Sequence, residues 1–140
     1  MGNSPWETLM KTITTFALAI LTALTLACGY SSKSYGPVAG TVPAISQLNP
    51  DSATAGGEAF PLTVNGSNFA SKAVVNWNGT AQATTYMSGS VLTVTIPASL
   101  IANSGTVQIT VTNPATSGTG IYGNGGTLAE TSSPMTFTIN

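Results

Sequence analysis

The chain has 140 residues, enough for one domain once a leader is set aside. Charged residues make up only 5%, the formal net charge is −1, and histidine and arginine are absent. The two lysines beyond the leader, Lys33 and Lys72, cannot neutralise a run of phosphates, which excludes nucleic acid as a partner. Low charge here does not signal disorder, because 42% of the residues are apolar and most of the rest are Thr, Ser, Asn and Gly. A polar but uncharged surface is what an exported protein carries.

The amino end has the pattern of a signal peptide, residues 1–27. Thr12 to Ala27 carries no charge, and Phe16 to Leu21 is strongly apolar. The stretch falls short of the ~20 apolar residues that span a bilayer as a helix, and its far flank is small and polar. An N-terminal signal-peptide helix is therefore expected, with Lys11 as its positive flank. Pro5, Trp6 and Glu7 are unusual in a leader, which makes Met10-Lys11 the more natural start. Met1-Gly2 is not a myristoylation signal, since Trp6 stands where Ser or Thr is wanted.

Cys28, the only cysteine, closes the apolar run as Leu24-Thr25-Leu26-Ala27-Cys28-Gly29 and can form no internal disulfide. This is the arrangement of a bacterial lipoprotein signal, in which the cysteine is lipidated and becomes the first mature residue. Cys28 is thus the lipidation candidate, the membrane a partner through its anchor, and the cell envelope the expected location. Thr25 stands where a lipobox prefers Leu, while Ala27 fits the small residue before the cysteine. Ordinary cleavage at a small-x-small site (Thr25/Ala27 or Ala27/Gly29) is the alternative and would give a secreted protein. The place of the only cysteine favours lipidation. Residues 28–41 are polar, Ser- and Gly-rich and without periodicity, and read as a flexible tether.

From residue 42 to 140 short alternating segments follow one another. Phe60 to Asn65 alternates and stops at Gly66; Val75 and Trp77 share a face before the Asn78-Gly79 turn signal. Leu92 to Ile96 runs to Pro97, Val107 to Thr112 runs to Asn113-Pro114, and Met135 to Ile139 closes the chain. Threonine fills most outward positions, where a β-branched residue suits a solvated pleat. Alternation with one polar face predicts antiparallel sheets packed on one side, and the regular spacing predicts an all-β sandwich. Only Ala98 to Asn103 offers a helical turn. The expected core is Phe60, Leu62, Val64, Phe69, Val75, Trp77, Leu92, Val94, Ile96, Val107, Ile109, Val111, Phe137 and Ile139. Pro50 is expected to set a turn after the first strand, and Gly66 a bend or bulge that lets Phe69 turn under the sheet.

The order of these pieces carries a resemblance. Pro43-Ala44-Ile45-Ser46-Gln47-Leu48-Asn49-Pro50, Ala55-Gly56-Gly57, Leu62 to Phe69, Val75 to Thr80, Leu92 to Pro97, Gly105 to Pro114 and Met135 to Ile139 together resemble the IPT/TIG domains. The Trp-Asn-Gly turn is similar to that of versions in bacterial envelope proteins. The resemblance implies an immunoglobulin-like β-sandwich of the early set and an interaction role without catalysis. The chain departs from the pattern in its single copy and its longer, glycine-rich final loop.

Apparent chemical signals have plainer readings. Gly118 to Gly123 matches G-x-G-x-x-G but lacks the strand–helix setting that a dinucleotide requires. The long loop 115–134 contains Ile121 and Tyr122, the candidate contact residues for a ligand, for which packing against the sandwich edge is the favoured reading. Asp51, Glu58 and Glu130 are the carboxylates beyond the leader, and their spacing suggests solvated surface positions rather than a glycosidase pair or a Ca²⁺ site. Without histidine, a Ser-His or Cys-His nucleophile is excluded, and no cofactor or metal is expected. Asn65-Gly66-Ser67 and Asn78-Gly79-Thr80 match a glycosylation pattern and read as turn chemistry. The expectation is a non-catalytic envelope lipoprotein that binds a protein or glycan or serves as a spacer. The alternative is a secreted structural subunit that self-associates through uncharged sheet edges.

Overall fold

Each alternating segment of the sequence becomes a strand. The computed structural model describes residues 36–118 and 125–140. The expected signal-peptide helix, Cys28, Ile121 and Tyr122 lie outside the described residues. In chain order the strands are β1 (Ala44–Asn49), β2 (Ser52–Ala53), β3 (Phe60–Ser67), β4 (Val74–Trp77), β5 (Thr80–Ala81), β6 (Thr84–Ser88) and β7 (Val91–Ile96). A 3-10 turn (Ala98–Ile101) then leads to β8 (Gly105–Asn113), β9 (Glu130–Thr131) and β10 (Met135–Ile139). The helical turn expected within Ala98 to Asn103 is this 3-10 turn.

Two sheets face each other, one ordered β1-β3-β7-β6 and the other β2-β10-β8-β4-β5, with β9 also on β8. This is the expected immunoglobulin-like sandwich with one departure. After β1 the chain passes the cis Asn49–Pro50 bond and crosses to the second sheet, where β2 pairs with β10 in parallel. Local alternation reports which face is buried, not the direction of the partner strand, so the parallel pair was not readable from it.

The inward residues form one core. Leu62, Val64, Val75, Leu92, Ile96, Ile109, Val111 and Phe137 are fully buried. Trp77 packs on Phe137 with ring centroids 5.1 Å apart, and Phe60 stacks on the same ring at 5.8 Å. Phe60 and Val107, expected in the core, are only partly buried at its margin. Leu48, Ala73 and Ile101 join the core although alternation did not single them out. Ile101 does so from the 3-10 turn, whose period differs from that of a strand.

Local chemistry fixes the corners. Asn78 (φ 49°) and Gly79 (φ 81°) both adopt left-handed backbone between paired Trp77 and Thr80, the geometry of a two-residue hairpin turn. A register shift lies in β1 between Ile45 and Gln47, opposite Gly66 and Asn65. A Cβ on Gly66 would collide with the Ala44 carbonyl and the Phe69 ring. The bulge is thus in β1 rather than at Gly66, and Gly66 leaves room for both the bulge and the buried Phe69.

Strands β9 and β10 follow one another along the same side of β8, opposite Thr112–Asn113 and Gly105–Ile109 respectively. Ser132 spans the interruption between them. Its N–H donates to the Val111 carbonyl at 2.8 Å, and its Oγ accepts from the Val111 N–H at 3.0 Å. A buried hydroxyl therefore replaces a missing rung of the ladder.

Candidate functional site

The candidate site is assembled by Asn113, the last residue of β8. The sequence marks Asn113-Pro114 only as a strand stop. In the fold the Asn113 side chain is 6% exposed and fully engaged. Its Oδ1 accepts from the Ala70 N–H at 2.9 Å, and its Nδ2 donates to the carbonyls of Thr41 and Asn68, both at 2.8 Å. One amide thereby joins the segment leading into β1, the turn after β3 and the end of β8. Asn68, with φ 61°, sharpens that turn, and its own amide donates to the Val42 carbonyl at 3.4 Å.

The segment arriving from the tether is held at this same end. The Val38 N–H donates to the Gly126 carbonyl and the Leu128 N–H donates to the Val38 carbonyl, each at 2.9 Å. Val38 and Gly40, read from the sequence as part of the tether, therefore lie along residues 126–130. The long loop is pinched at its neck, where Thr116 and Thr127 exchange backbone bonds of 3.0 and 3.1 Å. The Thr116 hydroxyl is also bound to Thr127, at 2.9 Å.

Beside Asn113 lies a recess of about 480 Å³ lined by Ala70, Ser71, Lys72, Pro114, Ala115, Thr116 and Ser117. Asn113 pins both walls: Ala70 through its side chain, and Pro114 to Ser117 through the chain itself. Lys72 is the only cation among the described residues, and it is exposed. The Thr116 hydroxyl is bound to Thr127, and Ser71 and Ser117 are the other hydroxyl-bearing residues of the lining. Its lining combines a lysine, three hydroxyl-bearing residues and the apolar Pro114, Ala70 and Ala115, a set that suits a small anionic group on an organic body. A shallower cup of about 120 Å³ on the outer face of the first sheet is lined by Pro61, Ala83, Thr85, Thr93, Val94 and Thr95 and carries no charge.

The sequence-derived candidates do not gather into a reactive cluster. Asp51 and Glu58 are exposed at the opposite end, near the turn into β2 and the loop before β3. Glu130 pairs with Asn113 across β8 and β9 and is half-buried. Among the described residues, no group of His, Cys, Asp and Glu is placed to hold a metal ion. The sequence missed Asn113 because a buried asparagine at a strand end has the same local signature as an exposed turn residue.

The family model of the IPT/TIG domain matches residues 43–139. No curated protein and no solved structure matches the chain. Domains of this kind are immunoglobulin-like binding or spacer modules and are generally non-catalytic. The matched span begins at the buried Pro43 and ends with β10, taking in both sheets, and the chain belongs to the IPT/TIG domain family.

Proposed function

We propose that this protein is a non-catalytic envelope lipoprotein, held to a membrane through Cys28, whose single IPT/TIG domain serves as a binding module or spacer. The observation that carries the reading is that the segment entering the domain and the last strand, β10, finish at opposite ends of the sandwich. The segment coming from Cys28 reaches the sandwich at the Asn113 end. Asn140 lies at the other, bonded to Ala53 and Ala55 beside the 3-10 turn. A nine-residue strand such as β8 spans roughly 30 Å, so the domain separates what is attached at its two ends by about that distance. The absence of histidine and the scatter of Asp51, Glu58 and Glu130 favour a role without acid–base chemistry.

Assembly through sheet edges has one observation in its favour. Strand β6 is an uncharged edge with Tyr86 and Met87 exposed. Against it, both outer strands of that sheet carry register shifts, in β1 at Ile45/Gln47 and in β6 at Tyr86/Ser88, and such bulges oppose edge-to-edge pairing.

The test is the intact mass of the protein from a membrane fraction, beside a Cys28→Ala variant. A mature chain starting at Cys28 with added acyl mass, lost in the variant, is the expected result. An unmodified chain in the soluble fraction would refute the anchored reading.

A further inference from the structure

Charge is divided between the two ends of the domain. Asp51 and Glu58 lie exposed at the end away from the tether. Lys72 lies exposed in the recess at the tether end, where Glu130, the only carboxylate there among the described residues, is half-buried with its Cγ against Gly40. Lys33 stands just upstream in the tether sequence.

The length of chain before the domain sets where that recess can be. The first tether residue bonded to the domain is Val38, so ten Cα–Cα steps separate it from Cys28. A chain of ten such steps spans at most about 35 Å fully extended. An anchor at Cys28 therefore ties the Lys72 end of the domain, and not the Asp51 and Glu58 end, to within about 35 Å of the bilayer surface.

We infer that the recess at Lys72 binds the phosphate of an anionic lipid headgroup. This rests on the anchored reading and adds an orientation to it. The ammonium of Lys72 meets the phosphate, and the Ser71 and Ser117 hydroxyls donate to its oxygens. Pro114, Ala70 and Ala115 lie against the carbon skeleton of the headgroup. Asn113 holds the two walls and the incoming tether in fixed relation, so headgroup contact and anchoring act at the same end. The Asp51 and Glu58 end then faces away from the membrane, repelled by the surface that attracts Lys72.

The test couples the full chain through its only cysteine, Cys28, to a maleimide lipid in vesicles. This makes it independent of whether the cell acylates Cys28. Lysine acetylation by a membrane-impermeant reagent is read site by site by mass spectrometry. On vesicles containing phosphatidylglycerol at low salt, Lys72 should be acetylated about five-fold more slowly than on phosphatidylcholine vesicles, the equivalent of one lysine near an anionic surface. High salt should abolish the difference. The lysine introduced by Ser99→Lys, on the exposed 3-10 turn at the far end, should react equally on both vesicle types.

Equal acetylation of Lys72 on the two vesicle types would overturn the proposal, as would equal protection at position 99. Protection of Lys72 by inorganic phosphate alone, with none added by the anionic bilayer, would assign the recess to a free anion and refute the lipid contact. An unacylated Cys28 in the cell, with Lys72 protected in vesicles, would refute the anchor and leave the headgroup site standing.

Discussion

The Asn113 amide supports the sharpest prediction. Asn113→Ala removes three hydrogen bonds and leaves the Ala70 N–H and the carbonyls of Thr41 and Asn68 without that partner. At a net 0.5–1.5 kcal/mol for each bond, the loss comes to about 3 kcal/mol. Asn113→Asp is nearly isosteric and adds a second, more diagnostic readout. The carboxylate still accepts from Ala70 but turns an oxygen, in place of an NH₂, towards two carbonyls at a site that is 6% exposed. Burial and that repulsion raise its folded-state pKa above the ~3.9 of the unfolded chain. The acid form can donate to one carbonyl, so the stability of Asn113→Asp should be greatest below about pH 4 and fall as pH rises through the raised pKa. Wild type and Asn113→Ala have no titrating group at this position and should not share that specific dependence. Urea unfolding followed by Trp77 emission between about pH 4 and pH 7 measures both effects as shifts in midpoint. A loss under about 1 kcal/mol in Asn113→Ala, or a pH profile for Asn113→Asp parallel to wild type, would show that the amide does not join these three segments.

Other outcomes follow from the core and its corners. Trp77→Ala, which removes a buried ring packed on Phe137, should cost about 3–5 kcal/mol in the same urea experiment. A loss below about 1 kcal/mol would place Trp77 outside the core. Gly66→Ala should destabilise by about 1–3 kcal/mol through its collision with the Ala44 carbonyl and the Phe69 ring, and a neutral result would mean that β1 yields freely at its bulge.

Strand existence and inward face were legible in the sequence because they depend on local alternation. Leu62 and Val64, Leu92 to Ile96, and Phe137 with Ile139 each announce a buried face by period two. The Asn78-Gly79 hairpin was equally local, since two left-handed residues in succession restrict the amino acids that fit. The order of the motifs also sufficed for the family, because the spacing of strands and turns is itself a sequence property. Residue charges were countable from the start, but which end of the domain each occupies was not.

The remaining features were decided by partners distant in the chain. Asn113 becomes a hub only when Thr41, 72 residues away, and Asn68, 45 away, arrive beside it. The parallel pairing of β2 with β10 requires the crossing after β1, and Ser132 completes a ladder whose gap appears only when β9 and β10 align on β8. Gly66 is explained by the Ala44 carbonyl, which the first strand delivers from across the sheet. The recess at Lys72 has the same origin, since its walls come from residues 70–72 and 114–117. Alternation and turn chemistry act over a few residues and are written in the sequence, whereas a site built between such segments exists only once closure of the sandwich has brought them together.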